Sequence, residues 1–183
     1  MQNPDLLFGR LGNRMFKEAF CLSFAHDVGI DRYFQSEEYF ADHADIIRKM
    51  FGQDIPTPID KVAIHCRRGD YIGNPFYVSL SEDYYQRAMA EFPDRKFLVF
   101  SDDIDWCMKQ EMFKDCEFSK GRTELEDMNL MASCSGQIIS NSSFAWWSAW
   151  LCPNYPNNKV VAPIQWFTDK IERCVCPKQW LKI

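Results

Sequence analysis

The sequence predicts an α/β fold, a doubly wound parallel sheet over residues 59–183, preceded by a reduced, mainly helical N-terminal part over residues 1–58. Three observations predict it. Four short runs, KVAIHC, KFLVF, GQIIS and KVVAP, are rich in Val, Ile and Phe; such continuous apolar runs suit strands buried on both faces. Helical segments separate these runs, and strand–helix alternation winds into a right-handed parallel layer. The stretch from Gly52 to Asp60, GQDIPTPID, holds a glycine and two prolines that forbid a continuing helix and so mark the joint between the two parts.

The elements follow in order. Leu6 to Phe8 hints at a strand. Gly12 and Asn13 precede a helix, Met15–Val28, whose apolar residues Met15, Phe16, Ala19, Phe20, Leu22 and Phe24 recur at helical spacing, with Gly29 as its stop. Ser36, with Glu37 and Glu38 in the next turn, starts a second helix running to about Phe51. After the joint, Ser81 caps EDYYQRAMAEF, and Asp103 to about Met112, Glu124 to Cys134 and Ser143 to Leu151 are the remaining helices. With the four runs between them, these make a Rossmann-like sheet.

Composition narrows the function classes. With 46 % apolar and 15 % aromatic residues in 183, the chain can build a packed core. A net charge of −5 argues against general nucleic-acid binding, which needs a surplus of Lys and Arg. The N-terminus lacks the apolar core of a signal peptide, and no run is long enough to span a bilayer, so the expectation is a soluble, cytoplasmic protein. Of the eight cysteines, Cys66, Cys134 and Cys152 sit in or beside apolar runs and read as small buried hydrophobes. Cys174 and Cys176 form C-x-C without a second pair at zinc spacing.

The polar residues carry the functional argument. Each buried run is followed at once by a polar segment: Arg67-Arg68-Gly69-Asp70-Tyr71, Ser101-Asp102-Asp103, Ser140-Asn141-Ser142-Ser143 and Ile164-Gln165-Trp166-Phe167. In a parallel sheet the carboxyl ends point one way, so these segments converge on the edge where open α/β sheets bind ligands. Tandem arginines offer forks that match phosphate oxygens. Ser142 and Ser143 stand at a helix N-terminus, which favours an anion. Asp102 at a strand end can accept from the N1–H and N2–H₂ edge of guanine, which favours GDP over ADP. Taken singly, each residue has a plainer fate: a surface ion pair for an arginine, a helix cap for Asp103 or Ser143, a hydrogen-bonded core histidine for His65. The D-x-D at Asp103 to Asp105 reads as a first helical turn rather than a metal site. At least two of Trp146, Trp147 and Trp150 read as core, and Trp166-Phe167 as the better lining for a cleft.

Together these segments resemble a known family. HCRRGDY, FSDDIDWC, ISNSSFAWWSAWL and VVAPIQWF, with GRLGNRMFKEAF and YFQSEEYF before them, are similar to the ordered motifs of the α-1,2-fucosyltransferases of glycosyltransferase family 11. The match runs with gaps from about residue 9 to about residue 167. The resemblance implies a two-lobed GT-B-like fold and GDP-fucose as donor, with no cofactor or metal required. It implies inverting transfer to a glycan hydroxyl, a terminal galactose, in α-1,2 linkage. It implies that Arg67 contacts the β-phosphate with Arg68 in support, that His65 and Asp102 hold guanosine, and that Ser142 and Ser143 lie beside the nucleotide. Gly12, Asn13 and Asn141, in the matching motifs, join the donor site. Asp70 is a candidate catalytic carboxylate by position, as proton acceptor or as the group that orients the arginines. The chain departs from the pattern in Arg14, where the family has glutamine, and in a shortened N-terminal lobe and Asn74–Leu80 stretch. Three alternatives therefore stand beside a fucosyl-transferring enzyme: a nucleotide-sugar-binding domain without catalysis, an interaction protein whose fold is completed as a homo-oligomer, and an enzyme using another donor.

Overall fold

A computed structural model describes residues 10–23, 35–171 and 176–183. The expected strand at Leu6–Phe8, the helix stop at Gly29 and Cys174 lie outside them. Twelve elements are labelled here: α1 (Leu11–Ser23), α2 (Ala44–Phe51), β1 (Ile59–Cys66), α3 (Glu82–Ala90), β2 (Phe97–Ser101), α4 (Ile104–Cys107), β3 (Glu117–Phe118), α5 (Glu124–Ala132), β4 (Cys134–Ile138), α6 (Ser143–Trp150), β5 (Lys159–Ala162) and β6 (Leu181–Lys182).

The six strands form one sheet in the order β3-β2-β1-β4-β5-β6, every pair parallel. This is the doubly wound order expected of a Rossmann-like layer, with its direction of winding reversed between β1 and β4. All four apolar runs are strands. The two edge strands β3 and β6 have two residues each and no periodic signature, so the sequence did not reveal them.

Alternation along the strands divides the core in two. Val62, Ile64, Cys66, Val99, Ile138 and Val161 face α3 and the segment around Cys107 and Phe113. Ala63, Leu98, Phe100, Val160 and Ala162 face α5 and α6. On this second face α1 and α2 add Met15, Phe16, Ala19 and Ile47 to the same cluster. The N-terminal helices thus share a core with the sheet.

Several local expectations are corrected. Gly12 and Asn13 do not precede the first helix but lie in its first turn. Ser36 does cap a helical start, its side chain accepting from the Glu38 N–H. The chain from there to Phe51 is two 3₁₀ turns, Glu37–Tyr39 and Ala41–His43, and then α2. The break lets Phe40 turn into the core, where its ring stacks on Trp147 at 5.5 Å. The helix after Asp103 is also shorter: α4 gives way to a 3₁₀ turn at Glu111–Phe113. A capping box at Thr123 and Glu126, legible as T-x-x-E, starts α5.

Gly12 marks a close helix contact. A Cβ there would stand 2.5 Å from the Phe144 nitrogen in the backbone of α6. Backbone cannot step aside as a side chain can, so Gly12→Ala is expected to cost about 1–3 kcal/mol in urea unfolding. Wild-type stability for this variant would mean that α1 is not seated on α6 in this way.

Candidate functional site

The carboxyl ends of β1, β2 and β4, with the start of α1 and the segment after β5, enclose a cleft of about 380 Å³. It opens at the point where the strand order reverses, the place where open α/β sheets bind ligands.

Arg67 leaves the end of β1 and points into the cleft wall, its side chain only 9 % exposed. Two carboxylates fix it. One terminal nitrogen is 2.9 Å from Asp102 Oδ2, and the other donates to Asp70 Oδ1 at 2.5 Å. Arg10 lies farther from the same pair, 3.6 Å from Asp70 and 3.9 Å from Asp102. Asp102 is committed on both oxygens, since Oδ1 also accepts from the Arg68 N–H at 2.9 Å. Its principal contacts are therefore those that orient Arg67 and the loop behind it. Gly69 permits this loop: any Cβ there would collide with Asp102 Oδ2.

Arg68 does not share the cleft with Arg67. Its guanidinium lies over the Trp106 ring at 3.4 Å and pairs with Asp103 at 3.2 Å. Successive residues leaving a strand point to opposite faces, so tandem arginines cannot both enter one cavity without a kink. Asp103 caps α4 and Asp105 pairs with Lys120, as expected of a first helical turn.

Two helix N-termini line the cleft side by side. Leu11, Gly12 and Asn13 open α1, and Ser142 and Ser143 open α6. Asn13 Oδ1 ties them, accepting from Ser143 Oγ at 2.5 Å and from Gln35 Nε2 at 2.8 Å. Neither first turn contains an acidic residue, and Ser142 makes no side-chain cap bond. Free N–H groups and aligned dipoles at such ends favour an anion.

His65 and Asn141 also line the cleft, each with structural work. His65 is buried, with Nδ1 2.6 Å from Ser140 Oγ. Burial, and then the Arg67 charge, depresses its pKa from 6.5 to about 3. The unfolded chain gains this proton near pH 6.5 and the folded chain does not. Stability from this site is therefore complete above that value and is lost as pH falls toward 3. His65→Gln is expected to lose less stability than the parent between about pH 7 and about pH 4 in urea unfolding. Equal losses would show that His65 does not contribute to the acid limb. Asn141 Nδ2 donates to Val78 O and Trp166 O, both at 2.9 Å, which pins two rim segments together. Its Oδ1 is buried without a partner among the described residues.

Other lining residues were not singled out from sequence. Arg122, Glu124 and Asp127 close the end beyond β2. Asp127 accepts from Ser119 Oγ at 2.5 Å, and its other oxygen has no hydrogen-bond partner among the described residues. Desolvation raises its pKa. Tyr71 and Tyr77 join Trp166 and Phe167 at the opposite end. The tryptophans of α6 take no part in lining: Trp146, Trp147 and Trp150 are all buried core. Among the described residues no cluster of His, Cys, Asp or Glu could hold a metal ion. Among the described residues Cys66, Cys107, Cys134, Cys152 and Cys176 are buried and Cys116 is half-buried, as expected of cysteines acting as small hydrophobes. No helix among the described residues is long and apolar enough to cross a membrane.

A 3-2-1-4-5-6 parallel sheet with a cleft at its switch point defines a Rossmann-like α/β layer, with the cleft where open sheets of this class bind ligands. Comparison with known proteins makes this specific. Residues 10–183 match the family model described as glycosyl transferase family 11, and the chain belongs to that family. It is 34 % identical to an alpha-1,2-colitosyltransferase of Escherichia coli over 177 residues, covering 82 % of this chain and 61 % of that protein. It is 30 % identical to the O-antigen biosynthesis glycosyltransferase WbnK of Escherichia coli, covering 82 % of this chain and 59 % of that one. A galactoside alpha-(1,2)-fucosyltransferase 1 of Aotus azarae is 27 % identical, over 58 % of this chain and 33 % of its own length. The chain thus spans about three-fifths of the length of the bacterial relatives it matches. No solved structure matches it.

Proposed function

We propose that the cleft binds GDP-fucose, or a GDP donor of a similar deoxy sugar, and that the protein transfers this sugar to a glycan hydroxyl, a galactoside in α-1,2 linkage. One observation carries the reading: a nearly buried, doubly anchored Arg67 stands beside two helix N-termini free of acidic residues. A diphosphate suits that arrangement, because the helix ends and the guanidinium all favour negative charge. The fucosyl and colitosyl names of the relatives support the sugar and the linkage.

The mechanism follows from where charge develops. The bond between the anomeric carbon and the β-phosphate oxygen breaks, and GDP leaves with the electron pair. An acceptor hydroxyl oxygen attacks that carbon from the opposite face and gives its proton to a base. Charge grows on the departing phosphate, so a fixed guanidinium stabilises the transition state more than the ground state. Asp70, half-exposed and bonded to Arg67, is freed when phosphate takes over the guanidinium, and is the candidate to accept that proton. No bound metal enters this scheme.

The base lies toward β2 and β3 in this reading. Guanine presents two donors that need a carboxylate. Asp102 is spoken for by Arg67 and Arg68, so Asp127, with a free oxygen in the cleft, is the better reader. A thermal-shift panel of nucleotide sugars tests the whole reading. GDP and GDP-fucose at 100 times their dissociation constants should stabilise by about 2.7 kcal/mol, and ADP or UDP sugars should not. Asp127→Asn should narrow the gap between GDP and ADP. A chain that ignores every guanine nucleotide would refute the proposal.

A further inference from the structure

We infer that the aromatic wall formed by Tyr71, Tyr77 and Phe167 is the subsite for the donor's deoxyhexose ring. The inference rests on the donor reading above and deepens it.

The wall is a built surface. Tyr71 and Tyr77 stack nearly parallel, their centroids 4.0 Å apart at 2°. Phe167 lies 5.7 Å from Tyr77 across an antiparallel bridge between the two residues. The ribbon is held by Val78 N–H to Trp166 O at 3.2 Å and Thr168 N–H to Phe76 O at 3.0 Å. The Tyr71 hydroxyl donates to Asn141 O at 3.1 Å, fixing that ring to the start of α6. Asn141 Nδ2 then ties both sides of the ribbon from beneath. Rings fixed in this way present an apolar face at little entropic cost on binding.

Position assigns the occupant. The Arg67 guanidinium carbon is 5.2 Å from the Tyr71 ring centroid, so the wall begins where the proposed phosphate site ends. In a nucleotide-diphosphate sugar the hexose is bonded directly to the β-phosphate. The base is separated from it by the α-phosphate and the ribose. A surface that abuts the β-phosphate arginine is therefore within reach of the sugar, while the polar end at Asp127 and Arg122 is left to the nucleoside. The chemistry agrees. A 6-deoxyhexose shows C–H groups and a methyl to an aromatic face, and its hydroxyls need a few placed polar partners. The Tyr77 hydroxyl has no hydrogen-bond partner among the described residues and supplies one at the edge of the wall. Asn141 Oδ1, on the amide whose Nδ2 holds Val78 O and Trp166 O, is buried without a partner among the described residues and is a second acceptor.

Calorimetry of GDP and of GDP-fucose on the whole chain separates the sugar from the nucleotide. In the parent, GDP-fucose should bind more tightly than GDP. Tyr77→Ala and Phe167→Ala should each weaken GDP-fucose by about tenfold or more and leave GDP unchanged, since one lost apolar contact is worth roughly 10–200-fold in discrimination. Tyr77→Phe keeps the ring face and should retain most of the gain. Unchanged GDP affinity also shows that the variants are folded. Equal weakening of both ligands would overturn the inference by putting the base, or the fold, on this wall. Equal affinity of the parent for both ligands would overturn it too. A parent that binds neither ligand would instead refute the donor reading on which the inference stands.

Discussion

Arg67→Ala is expected to lower transfer from GDP-fucose by about 10²–10³-fold, the usual cost of removing one preorganised donor to a developing negative charge. The loss should fall mainly on kcat, because the bond to the phosphate strengthens as charge moves onto it. GDP affinity should drop as well, since the product carries the same phosphate. Arg67→Lys should recover little. An ammonium cannot keep its bond to Asp102 and still present a planar fork to phosphate. Circular dichroism and a urea transition control for folding, because the substitution leaves Asp102 with the Arg68 N–H and a distant Arg10. Turnover near that of the parent, in a folded variant, would remove Arg67 from the chemistry. Arg68→Ala makes a useful contrast. Its guanidinium packs on Trp106 and Asp103 outside the cleft, so the substitution should act on stability more than on turnover.

Trp147→Ala is expected to be the most destabilising single change among the residues discussed, by about 3–5 kcal/mol in urea or thermal unfolding. Trp147 is fully buried at the centre of the larger core cluster. It touches Phe16 of α1 at 4.8 Å, Phe40 at 5.5 Å, Phe51 of α2 at 5.5 Å and Trp150 at 5.4 Å. Its removal opens a cavity between the sheet and both N-terminal helices, which cannot collapse without moving α1. Since α1 carries Gly12 and Asn13 to the cleft, ligand binding should weaken with stability. Trp147→Phe should cost much less. It keeps most of the aromatic volume and removes an indole N–H that has no partner among the described residues. If both variants lose the same stability, the hydrogen bonding of the indole matters more than its volume, and the cavity argument fails.

The sheet was legible because burial on both faces leaves a plain mark. A strand covered on both sides is apolar along most of its length, and KVAIHC, KFLVF, GQIIS and KVVAP mark the four interior strands. β3 and β6 left no such mark, since an edge strand of two residues gains its place from backbone pairing with a neighbour already formed. The helix starts at Ser81, Asp103 and Ser36 were readable as side-chain caps, a local interaction. Helix extent was not. Phe40 and the turns around it are bent by what they pack against, and Gly12 sits inside a helix despite its poor propensity because only glycine allows contact with α6.

For the site, the sequence determined which polar segments meet, because parallel strands send all their carboxyl ends to one edge. His65, Arg67, Asp70, Asp102, Asn141, Ser142, Ser143, Gly12 and Asn13 all line one cleft. Tertiary structure decided what each can do there. Strand pleating sent Arg68 to the far side of its loop, and ion pairing gave Asp102 to Arg67. Segments distant in sequence, the first turn of α5 among them, brought up Asp127, Tyr77 and Arg10. Spacing along a chain fixes direction and local capping. The partner of a charge, and the ring that faces a ligand, are fixed by groups tens of residues away, whose approach is settled by packing of the whole core.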